Sequence, residues 1–155
     1  MWMILSVLAA FVITSMVSKI SFSLFYLFNF FSLVVLYFAV EKGEIYGACL
    51  GTFCGLIQDS FSLGIFGVAG IAKTVLGYLA GYFSSKVNVV PFRRNFVFIF
   101  VLISVELIIW ASLCSFIFSE RVYTGNALIF FQPLSTAVLG SLLYNYLRKL
   151  ERSET

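Results

Sequence analysis

From Gly47 onward the chain places a small residue at every fourth position of an apolar run: Gly47, Gly51 and Gly55, with Asp59 closing the series. An α-helix turns once in about 3.6 residues, so these four positions share one ridge. After a break at Ser60 to Leu63 a second set follows, Gly70, Lys73, Gly77 and Gly81, again close to one stripe. Two such helices can bring their backbones into direct contact, a common way for helices to associate in lipid. A carboxylate ends the first stripe and an ammonium sits within the second. Both are costly in lipid, so each requires a partner or a wet cavity.

Lipid is the expected solvent because the chain is too poor in charge for water. Of its 155 residues 61% are hydrophobic and 11% charged, against about a quarter charged in soluble domains. The reading is an all-α integral membrane protein, one domain with six spans at about 1–17, 22–40, 45–58, 65–83, 96–118 and 127–147. A charged tail follows at 148–155. No basic residue precedes the first span and no alanine-type cleavage site follows it, so it is read as an uncleaved span rather than a signal peptide. Ser6, Ala10, Thr14 and Ser18 repeat every four residues there. They suit either a helix contact or hydroxyls bonded back to their own helix. Asn29 is the one strongly polar side chain of the second span, and Glu41 to Glu44 makes a tight polar connection. The third span is short for a bilayer that asks for about 20 residues. It reaches adequate length only with Gln58 and Asp59 at the far interface. Pro133 falls in the first turns of the sixth span, where a missing amide proton costs little.

Orientation follows from the basic residues. With six spans and the amino terminus inside, the inner segments hold Lys42, Lys86, Arg93, Arg94, Arg148, Lys149 and Arg152, and the outer ones hold Lys19 and Arg121. A five-span arrangement with a re-entrant third segment merely exchanges Lys19 for Lys42. Charge therefore fixes the carboxyl terminus as cytoplasmic and leaves the amino terminus open.

Chemistry is sparsely provided. There is no histidine, and Cys49 and Cys54 are spaced for neither a zinc knuckle nor a redox pair. The cysteines are read as packing residues, and neither a metal nor a cofactor is expected. Catalysis would need a nucleophile with a base, paired carboxylates or a metal, and no such set occurs, so no catalytic residue is assigned. Arg93-Arg94 and Arg148-Lys149 are read as topology signals that touch anionic lipid head groups, worth about 1 kcal/mol per residue. No nucleic-acid partner is implied.

The polar residues within the membrane are Asp59, Lys73 and Glu106. Lys73 lies roughly 13 Å below the outer face and Glu106 roughly 17 Å from the inner one, at 1.5 Å per residue. In a core about 30 Å thick these depths coincide. Glu106 is therefore the expected partner of Lys73. Asp59 is the competitor, because a helical side chain leans toward the amino-terminal end of its helix.

The run LYFAVEKGEIYGACLGTFCGLIQDSFSLGIFGVAGIAKTVLGYLAG, residues 36–81, resembles the signature region of the bacterial rod-shape-determining MreD family. Gly47, Gly51, Gly55, Gln58-Asp59, Gly64, Gly67, Gly77 and Gly81 carry the resemblance together, over about a third of the chain; the rest is similar in hydropathy and length. The resemblance implies a six-helix bundle similar to the substrate-binding subunits of energy-coupling-factor transporters, and it decides for six spans. It also implies a non-enzymatic inner-membrane component of the elongation machinery. Such a component binds MreC and, through the complex, MreB, RodA and a class B penicillin-binding protein. Two other functions stay in view: a vitamin-binding transporter subunit, and a small proton or ion carrier using Asp59, Lys73 and Glu106. The glycines Gly47, Gly51, Gly55, Gly70, Gly77 and Gly81 are assigned to helix packing or partner binding.

Overall fold

The structure is a computed structural model that describes residues 7–9, 11–13, 15–16, 29–61, 67–86, 92–117 and 128–151. Five helices are bounded: α1 Phe30–Lys42, α2 Glu44–Phe61, α3 Val68–Lys86, α4 Phe92–Ile117 and α5 Leu128–Glu151. Residues 7–9, 11–13 and 15–16 are also helical, and no strand occurs among the described residues. The Ser6, Ala10, Thr14 and Ser18 ridge, Lys19, the segment 22–28, Gly64 and the loop with Arg121 lie outside the described residues.

Helix α1 occupies the middle. Phe31, Val35, Leu36, Phe38 and Ala39 are all buried, and they meet Leu50 and Cys54 of α2, Leu76 and Ala80 of α3, and Ala137 of α5. Helix α4 lies against α3 and α5 and adds Ile99, Leu102 and Ile103. The turn from α1 to α2 is a single residue. Gly43 takes a φ of 95°, a value reached freely only without a Cβ, and its N–H donates to Ala39 O at 3.0 Å. Gly67, at φ 101°, uses the same conformational freedom where α3 begins.

Helices α2 and α3 are antiparallel and touch backbone to backbone. A Cβ on Gly47 would overlap Gly77 O, one on Gly51 would overlap Lys73 O, and one on Gly55 would overlap Gly70 Cα. Near the ends, a Cβ on Gly81 would overlap Glu44 Cα. Gly70 differs, since its Cβ would only meet the Leu56 side chain at 3.6 Å, an ordinary contact. One further close approach joins α5 to α1, where a Cβ on Gly140 would lie 2.6 Å from Leu33 Cδ2.

The surface carries the large apolar side chains. Phe116 is 90% exposed, and Ile45, Phe53, Ile108 and Phe131 are open as well, while Asp59, Lys73 and Glu106 are buried. That inversion suits hydrocarbon rather than water. Among the described residues one helix, α4 over Arg93–Ile117, is long and apolar enough to cross a membrane by length and composition. The described part of α1 is only 13 residues, and α2 and α3 carry the glycines with Gln58, Asp59 and Lys73. Pro133 is the sixth residue of α5, not one of the first four, so its missing N–H removes an interior bond.

Candidate functional site

Helix α1 begins at Asn29, inside the segment expected to run unbroken from Phe22. Asn29 is the N-cap, with φ −100° and ψ 79°, and its side-chain Oδ1 accepts from Ser32 N at 3.3 Å. An N-cap asparagine satisfies one of the amides that a helix leaves open at its start. Here the same side chain also faces inward and joins the buried charges.

Lys73 on α3 has no side-chain exposure, and its Nζ lies 2.5 Å from Glu106 Oε1 on α4. The ammonium also donates to Asn29 Oδ1 at 3.0 Å and to Ser32 Oγ. Its three N–H groups thus have three acceptors. Ser32 Oγ lies 2.8 and 2.6 Å from the two Glu106 oxygens, and Asn29 Nδ2 donates to Glu106 Oε1 at 3.2 Å. The backbone N–H of Asn29 donates to Thr136 Oγ1 on α5 at 3.4 Å. Helices α1, α3, α4 and α5 therefore meet at one polar cluster. Glu106 faces a lysine and the positive end of α1 together, two favourable partners for a carboxylate without water.

Asp59 is engaged elsewhere. Its Oδ2 accepts from Gly67 N at 2.9 Å and Gly70 N at 3.2 Å, and its Oδ1 accepts from Ala69 N at 3.2 Å. These are amides at the start of α3 that lack helical acceptors, and the helix dipole favours an anion there. The carboxylate at the end of the first glycine ridge thus caps the second helix. Gly47, Gly51, Gly55, Gly77 and Gly81 face the partner helix within the α2–α3 pair.

Sequence reasoning missed Ser32 and Thr136, and it saw in Asn29 only a polar side chain within a span. For Asn29 alone a signal was available, because asparagine is a favoured N-cap. Among the described residues no group of three or more potential metal ligands is present.

Compared with known families, residues 1–153 of the chain match the family described as rod shape-determining protein MreD. No curated protein and no solved structure matches the chain, so the likeness to energy-coupling-factor subunits finds no support there.

Proposed function

The chain belongs to the MreD family, membrane proteins of rod-shape determination, and from that membership we propose that it is a non-enzymatic, multi-pass inner-membrane scaffold of the cell-elongation complex. It binds MreC and thereby links the MreB filament to peptidoglycan synthesis by RodA and a class B penicillin-binding protein. Six spans form one bundle, with the carboxyl terminus cytoplasmic. The observation that carries this reading is the family match over residues 1–153 of 155. The site's chemistry agrees with it, since Lys73, Glu106 and Asp59 spend their hydrogen bonds on one another, on the Asn29 and Ser32 side chains or on backbone amides. With the glycine ridges of α2 and α3 turned toward each other, MreC has to use a different, lipid-facing surface.

The test is capture of the full chain from detergent-solubilised membranes through a carboxyl-terminal tag, with MreC co-expressed. MreC is expected to remain through washing in near-equal amount, and the tag is expected to be accessible in inside-out vesicles alone. Loss of MreC, together with a vitamin-like molecule retained by the purified chain, would overturn the reading in favour of a transporter subunit.

A further inference from the structure

An apolar set of side chains could join these helices without the desolvation cost of an ammonium and a carboxylate. Buried ion pairs find their best-attested uses in fixing a register or operating a switch. One feature here points to a switch, the convergence of three residues on Glu106, which accepts from Lys73 of α3 and from both Asn29 and Ser32, the residues that begin α1. The first turn of α1 is thus tied to α3 and α4 through one titratable group.

We propose that the Glu106 carboxylate is a proton-operated catch on the starting end of α1, closed while ionised and opened by taking up one proton. The proton goes onto a Glu106 oxygen, which then donates rather than accepts, and no other bond is made or broken. Lys73 stays an ammonium held by Asn29 Oδ1 and Ser32 Oγ alone. That unbalanced charge in low dielectric favours separation of α1's first turn from α4. The other groups facing the pair do not replace the lost charge. Helix α2 offers the Cys54 thiol, which lies in the field of Lys73. Helix α5 offers the uncharged Thr136, and α1 itself only Asn29 and Ser32. Asp59 is committed to three amides at the start of α3. Helices α2 and α3, joined through backbone, remain in place, so the opening is local.

Hydrogen exchange on the full chain in lipid nanodiscs reads this out, with rates corrected for the intrinsic effect of pH. On lowering the pH from about 8 to about 4, protection of amides 33–36 is expected to fall about tenfold. Amides of the α2–α3 contact should hold theirs. Glu106→Gln should show the lowered protection at every pH and lose the pH dependence. A wild-type profile flat in pH overturns the proposal, and so does a pH dependence that survives in Glu106→Gln. Where that variant does not fold, the wild-type profile alone decides, with Ser32→Ala expected to weaken protection and keep the pH dependence.

Discussion

Lys73→Met alone is expected to lower the thermal midpoint of the detergent-solubilised protein by about 10 °C, and adding Glu106→Gln is expected to restore part of that loss. Breaking a buried ion pair from one side costs about 3–5 kcal/mol, because the remaining charge has no counter-ion. For a chain of this length about 1 kcal/mol corresponds to roughly 2–4 °C. Lys73→Met leaves Glu106 with Ser32 and Asn29 but no cation, and Glu106→Gln leaves an ammonium in the bundle centre. The double variant removes both charges and keeps an amide that Ser32 and Asn29 can still bond. Its loss should therefore fall short of the two single losses added, by a coupling of about 0.5–3 kcal/mol. Additive losses would mean that the two side chains do not meet, and the cycle would then be repeated with Asp59→Asn.

Gly51→Leu is the second large effect. Leucine is the better helix former by about 1 kcal/mol, so a lipid-facing Gly51 would gain stability from the change. In the structure the first added carbon already overlaps Lys73 O and lies 2.7 Å from Lys73 C. Backbone cannot swing away as a side chain does, so α2 and α3 must separate. The overpacking cost reaches about 3 kcal/mol or more, for a net loss of roughly 2 kcal/mol. A lowered thermal midpoint is expected for Gly51→Leu and for Gly55→Leu. Gly70→Ala serves as the control within the same contact and should be neutral or slightly stabilising. Neutrality of both leucine variants would place the ridge against lipid.

These two effects rest on what periodicity and depth reveal without coordinates. A glycine every fourth residue specifies a ridge, and counting residues from either face puts Lys73 and Glu106 at one depth. The rest of the cluster lacked such a signal. Ser60, Ser104, Ser135 and Ser141 all bond a carbonyl three or four residues earlier in their own helix. Nothing in the sequence separates Ser32 or Thr136 from them, and only packing turns these two toward neighbouring helices. The start of α1 was hidden for a related reason. Apolar residues continue on both sides of Asn29, so hydropathy marks no boundary where the helix begins. Asp59 was placed by length at an interface, but its capping of α3 depends on how the α2–α3 turn closes. Gly140 is the one glycine of its helix, and its approach to Leu33 was not marked by a glycine repeat.

The pairing of Lys73 with Glu106 can be measured without any substitution. A membrane-permeable carbodiimide adds to a carboxylic acid to give an O-acylisourea. An amine within reach displaces the urea and forms an amide, so the protein loses one water. With Nζ 2.5 Å from the carboxylate, Lys73 is the amine placed to do so once it gives up its proton. Treatment of native membranes followed by peptide mass analysis is predicted to yield the Lys73 peptide joined directly to the Glu106 peptide, lighter than their sum by one water. Joining of Lys73 to Asp59 instead, or a Glu106 acylurea beside an unjoined Lys73, would contradict the account.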